Sequence, residues 1–244
     1  MSRHVGWLVS ALGLVGCGAP AARAEPTQPL AEQGETLFAS RKLSPSSINL
    51  FTCSTCHDAR PSGEARIKPG APLAGATLRS SFWGGQENDL LLSLDACRST
   101  FMNARDPLAA DEPQAEALYA YLESLEPGDA GTVPFTVVRE IANLPRGDAA
   151  RGAQVFERAC ATCHGTPHEG VGRLGLRVPV LPEETLEAHP APTYSARVQR
   201  LVFIEKTRHG AFLGYGGFMP PFSTEVLPDA NLSDLLEALG VLGE

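Results

Sequence analysis

The feature that most constrains this chain is a pentapeptide pattern that occurs twice, as Cys53-Ser54-Thr55-Cys56-His57 and as Cys160-Ala161-Thr162-Cys163-His164. Two cysteines separated by two residues can form a dithiol redox pair, half of a zinc site or an anchor for haem. The histidine directly after the second cysteine separates these readings. A thioredoxin-type pair needs a βαβ setting and a zinc site needs two further ligands at matched spacing, whereas C-x-x-C-H reads as covalent c-type haem attachment. Two thiols on one helical turn reach both vinyl groups of a porphyrin, and the next residue turns its imidazole onto the iron as the proximal ligand. Two dithiols, or one all-cysteine zinc site, would leave the histidine after both pairs unexplained. The expectation is two covalently bound haem c groups, attached at Cys53, Cys56, Cys160 and Cys163, with His57 and His164 as iron ligands.

The chain has 244 residues, of which 43% are hydrophobic and 20% charged. That balance fits a folded soluble protein of one to two domains and excludes disorder as its main theme. The start combines Arg3, an apolar run from Val5 to Val15 and small residues after it, the layout of a secretory signal that is too short for a comfortable membrane span. Leu14-Val15-Gly16-Cys17 resembles a bacterial lipobox, which would make Cys17 an acylated membrane anchor. Cleavage after Ala22-Arg23-Ala24 is the rival reading. Both readings make the protein exported, on the periplasmic side of a bacterial membrane. The formal net charge is −8 without an evident basic patch, which argues against nucleic acid and for a redox protein partner with a basic docking face.

The chain repeats one order of parts. Each half opens with a glycine four residues before an aromatic (Gly34 with Phe38, Gly152 with Phe156) and continues with the pentapeptide, a middle helix, a methionine and a closing amphipathic helix. The closing helices place Leu118, Tyr119, Leu122 and Leu125 on one face, and Leu232, Leu235, Leu236 and Leu239 on another. Asp111 and Asn231 are suited to cap them. The opening glycines let a second helix approach closely while the aromatic fills the contact. A stretch rich in Gly, Pro and Asp at its ends, around Pro145, reads as a linker. Between Phe38 and Cys53 the first half carries an insertion, Arg41 to Phe51, that the second lacks.

In this order of parts both halves resemble the class I cytochrome c fold, in which the first and last helices cross and haem sits between them and a methionine-bearing loop. The resemblance implies an all-α protein with two tandem domains: a signal and tether over 1–24, domains over 25–128 and 147–244, and a linker over 129–146. Met219-Pro220 matches the Met-Pro of that family, which makes Met219 the distal ligand of the second haem. The piece Cys97 to Leu108 also resembles the cysteine-ligand segment of SoxA and thiosulfate dehydrogenases, with Ala104 in place of a glycine.

The sixth ligand of the first haem is open between Met102 and Cys97. A thioether raises the potential of haem iron, and a thiolate pushes electron density onto it. With Met102 both haems form a relay; with Cys97 the first haem is catalytic, and an anionic sulfur substrate would need cationic groups nearby, for which Arg79 and Arg98 are available. Arg98 follows Cys97 directly and is expected in a surface salt bridge. Trp83 and Phe82 are expected to cover the haem edge. His168 and His189 carry little weight, and His209 is a lesser alternative to Met219. Three functions follow from these readings: single-electron transfer in a respiratory chain between a donor and an acceptor, a dihaem thiosulfate dehydrogenase-like sulfur oxidoreductase, and a haem subunit docked on a larger oxidoreductase complex.

Overall fold

The computed structural model describes residues 28–61, 66–125, 133–210 and 219–243. Cys17 and the expected cleavage site after Ala24 lie outside these residues. In the first half the helices are α1 (Leu30–Phe38), α2 (Cys53–Cys56), α3 (Leu90–Thr100) and α4 (Pro113–Ser124). In the second they are α5 (Ala149–Val155), α6 (Ala161–His164), α7 (Glu183–Ala188), α8 (Ala196–His209) and α9 (Asp229–Ala238), with one π-helical stretch, Phe156–Cys160, joining α5 to α6. The expectation of an all-α fold holds: among the described residues the one departure is an isolated bridge between Phe82 and Glu87.

In each half the first helix packs against the last, α1 on α4 and α5 on α9. The two opening glycines are the reason they can. A Cβ at Gly34 would collide with the Ala117 carbonyl and lie 2.6 Å from Tyr121 Cβ; a Cβ at Gly152 would collide with the backbone of Asp234. The aromatic partners fill the remaining space. Phe38 meets Tyr121 with ring centroids 5.6 Å apart, and Phe156 is buried among Leu232, Leu235 and Leu236.

The closing helices differ from expectation in two details. Tyr119 is half-buried and Tyr121 takes its place inside, because the close approach at Gly34 turns the Ala117–Tyr121 edge of α4 inward. The caps are also displaced. Pro113 occupies the first turn of α4, so Glu112, held extended before it, is the N-cap rather than Asp111. Likewise α9 begins at Asp229 after Pro228, two residues ahead of Asn231. The second half also forms α7, which has no α-helical counterpart among the described residues of the first.

Polar contacts tie the second half together. Asp234, nearly buried, accepts from Arg151 Nε at 2.7 Å and Nη2 at 2.9 Å and from the Asp148 amide at 2.6 Å. Thr136 donates to Glu225 through its amide at 2.9 Å and its hydroxyl at 2.6 Å. These Thr136 hydrogen bonds hold the Glu225 carboxyl down from its ordinary 4.5 to about 2. A carboxyl depressed by folding contributes stability that is fully present above pH 4.5 and is lost as pH falls toward 2. Thermal melting across that window is therefore expected to show a pH slope in the native protein that flattens in Glu225→Gln. An unchanged slope in the variant would mean that the tether does not hold in solution.

Candidate functional site

Each pentapeptide forms a short helix at the wall of a cavity. Around α2 the helix is fixed by a reciprocal cap: Thr52 Oγ1 accepts from the Thr55 amide at 3.2 Å, and Thr55 Oγ1 accepts from the Thr52 amide at 3.1 Å. Lys68 then clips the turn, donating to the carbonyls of Ser54 at 3.0 Å and His57 at 3.1 Å while pairing with Asp58 at 2.7 Å. The first cavity, about 170 Å³, is lined by Cys53, Cys56 and His57 on one side and by Cys97, Arg98 and Met102 on the other. The second, about 590 Å³, is lined by Cys160, Cys163 and His164 together with Met219. Both sets of expected residues are thus brought together.

The two histidines are prepared in the same way. His57 Nδ1 is 2.8 Å from the Ala71 carbonyl and His164 Nδ1 is 2.8 Å from the Pro179 carbonyl. A carbonyl only accepts, so Nδ1 carries the proton and Nε2 keeps its lone pair for a metal. Burial lowers both imidazoles below their ordinary value, which favours the neutral, ligating form. Gly70 stands against the His57 ring, where any Cβ would collide with it. The imidazole plane is fixed by packing as well as by its hydrogen bond.

The cysteines fit covalent attachment better than the other readings. All five described cysteines are unpaired. Burial pushes the Cys53 thiol up to about 11 and those of Cys97 and Cys160 up to about 12. Thiols held protonated in this way make poor redox dithiols, because the thiolate is the reacting species. Cys53 lines the first cavity, Cys160 and Cys163 the second and Cys56 both, and among the described residues no cluster of three or more His, Cys, Asp or Glu could hold a metal ion. An all-cysteine zinc site is therefore not formed. The chemistry of each donor set, two thiols beside a neutral imidazole at an apolar cavity, fits haem c.

Cys97 and Met102 occupy the cavity wall differently. Met102 is 4% exposed and packs among Leu43, Leu108, Ala115 and Leu118. Cys97 is only partly covered, as Met219 is. Arg98 departs from expectation. It is 5% exposed, pairs with Asp95 at 2.7 Å and donates to the carbonyls of Leu43 at 3.2 Å and Asp106 at 3.3 Å. These partners draw it inside, where it ties α3 to the segments on either side. Arg79 lines the first cavity and donates to the carbonyls of Pro72 at 2.7 Å and Ala74 at 2.9 Å. Phe82 and Trp83 line the same cavity, Trp83 stacking on Phe101 with centroids 6.2 Å apart.

The remaining described histidines lie elsewhere. His168 bonds Glu183 at 2.7 Å, His189 bonds the Thr185 carbonyl at 2.8 Å, and His209 sits 3.9 Å from Glu205 outside the lining of the second cavity. Sequence reasoning missed Phe51, Pro69 and Phe101, which line both cavities. They come from three separated segments, and no local pattern marks them. Among the described residues no helix is long and apolar enough to cross a membrane.

Comparison with known proteins supplies one family. Residues 147–237 match the family model of cytochrome C oxidase, cbb3-type, subunit III. No curated protein matches the chain. Among solved structures the chain is similar to thiosulfate dehydrogenase (TsdBA) from Marichromatium purpuratum, in its as-isolated form, at 21% identity and a TM-score of 0.43. The match covers 90% of this chain and 48% of that one, so this chain spans about half the length of that protein. The matched family, the crossing of α5 and α9, and the thiols, neutral imidazole and methionine at one cavity agree: residues 147–237 form a cytochrome c domain, the kind that binds haem c covalently and serves electron transfer.

Proposed function

We propose that the protein is a dihaem cytochrome c that passes single electrons between redox protein partners. The observation that carries this reading is the repeated site: in each half a Cys-x-x-Cys helix lines a cavity and is followed by a histidine whose Nδ1 is tied to a carbonyl. Haem supplies the redox chemistry when bound. Cys53 and Cys56, and Cys160 and Cys163, fix it covalently; His57 and His164 ligate it; Met219 completes the second site. The two domains cover 25–128 and 147–244, joined by 129–146. The N-terminal sequence supports export to the periplasmic side and anchoring through an acylated Cys17.

Haem counting tests the reading. The full chain, matured in an exporting host, is expected to bind two haems by pyridine haemochrome and intact mass, and to give two one-electron waves. Changing Cys160 and Cys163 together to alanine is expected to leave one haem. One haem in the unaltered protein would overturn the dihaem reading.

A second reading is favoured by one observation: both sulfur residues line the first cavity, but Met102 is buried while Cys97 is only partly so. Cys97 ligation is compatible with electron transfer, and it also opens the first site to catalysis of the thiosulfate dehydrogenase-like kind, for which Arg79 is the cationic side chain at hand for an anionic sulfur compound. Arg98, committed to Asp95, positions α3 instead. Turnover of thiosulfate with an artificial electron acceptor by the isolated protein separates this reading from a pure relay.

A further inference from the structure

The net charge of −8 describes the chain as a whole and not the mouth of the second cavity. Five cationic side chains, Arg66, Lys68, Arg158, Arg177 and Lys206, line that cavity, and among the described residues no aspartate or glutamate does. Arg66, Arg158 and Arg177 are also exposed, which puts them where the cavity meets solvent. The five come from separate segments of both halves, so no basic run announces them in the sequence. Lys68 is matched by Asp58 at 2.7 Å, Glu157 is exposed beside Arg158, and a haem brings two carboxylates. Five cations then face four anions, and the balance at the mouth stays positive in a chain that is otherwise acidic.

The fold assembles these charges at the second pentapeptide. The Ile67 amide donates to the Arg158 carbonyl at 2.9 Å, Arg66 donates to Thr162 Oγ1 at 3.3 Å, and Ile67 packs into the core of the second half. A basic segment of the first half is thereby fastened beside Cys160 and Cys163. Apolar surface stands next to the charges. Ile48 lines the cavity and is 47% exposed, and Leu176, 85% exposed, is flanked by Arg177 and by Gly175, which approaches Leu50 of the wall. Arginines set around exposed apolar side chains are the composition of an interface, and their sign selects and steers a partner of the opposite charge.

We propose that the mouth of the second cavity is the docking face for an electron-transfer protein that presents carboxylates around its own redox centre. This rests on the dihaem reading above and goes further, because it names the chemistry of the partner and the place where it binds. It also reverses the expectation drawn from net charge, which called for a partner with a basic face. The step balances between the two proteins: the partner loses or gains one electron, the second haem gains or loses the same electron, and no proton or leaving group moves.

The test uses the full protein, oxidised and counted first for haem, and follows its reduction by a plant-type ferredoxin, an acidic carrier of low potential. Both proteins are negative overall, so net charge alone predicts a second-order rate that rises with salt. Docking at the basic mouth predicts the opposite sign. The rate is expected to fall by about tenfold as the Debye length shrinks from about 30 Å at 0.01 M to about 10 Å at 0.1 M. Arg66→Glu combined with Arg158→Glu is expected to reverse that slope. Arg41→Glu combined with Arg197→Glu makes the same change in net charge at exposed residues outside the cavity lining, and is expected to leave the rate falling. A rate that rises with salt in the unaltered protein, or a slope that both double variants move equally, would overturn the proposal and leave the dihaem reading standing. A haem count of one, with none at Cys160 and Cys163, removes the reading itself.

Discussion

Oxidised protein examined by low-temperature electron paramagnetic resonance is expected to give one low-spin signal with a compressed g-spread, lost in Cys97→Ser and retained in Met102→Leu. The expectation follows from where the two sulfurs stand. Met102 has spent its surface on Leu43, Leu108 and Leu118, and its carbonyl is held by the Ser44 hydroxyl at 2.7 Å, so withdrawing it to bind iron would open a hole in that cluster. Cys97 needs no such movement. Burial holds its thiol up at about 12, but a coordinating metal deprotonates a thiol outright. The functional consequence is large, because a thiolate lowers the potential that a thioether would raise. If both haems instead give the wide spread of His/Met ligation and Met102→Leu alters one, the catalytic reading loses its support and the protein is a relay.

The second large effect is expected at the helix crossings. Gly152→Ala should cost about 3 kcal/mol or more, because the added methyl meets the backbone of Asp234 rather than a side chain that can swing away. It would also disturb the salt bridge that Asp234 makes with Arg151 across the same crossing. Gly34→Ala should behave alike against Ala117. For a domain of this size a loss of that order lowers the melting temperature by roughly 10 °C or more. Calorimetry on the haem-loaded protein decides it, and a loss under about 1 kcal/mol would mean that the helices can part without penalty.

Much of this was legible in the residues because the informative signals are local. The pentapeptides state their chemistry in five positions, and the glycine-to-aromatic spacing announces a helix crossing that the structure contains. The closing helices were readable by period, but their starts were not: a proline just inside or before a helix overrides a good capping residue nearby, as Pro113 and Pro228 do. Arg98 was misjudged for a different reason. A charged side chain looks like surface unless its partners are known, and Asp95, Leu43 and Asp106 come together only in the fold. Between Cys97 and Met102 sequence order could not choose, since both precede α4 by a short step, and the distinction lies in how deeply each residue is packed, Met102 buried and Cys97 only partly so. The insertion between Phe38 and Cys53 looked like a mere difference between halves. It supplies Phe51, held in place by the Asn49 side chain, which accepts from the Phe51 amide at 2.9 Å and donates to the Phe51 carbonyl at 3.0 Å.

The burial of the second pentapeptide also sets a timetable. Cys160 is 6% exposed and His164 7%, and part of the wall that covers them, Ile67 and Pro69, is contributed by residues some ninety positions earlier. A thiol so enclosed is hard for another protein to reach. Thioether formation is therefore expected to come before the halves close on one another, while the chain is still open. Each finished molecule thus carries a record of its assembly order, and a chain that folded first would be sealed against its own cofactor.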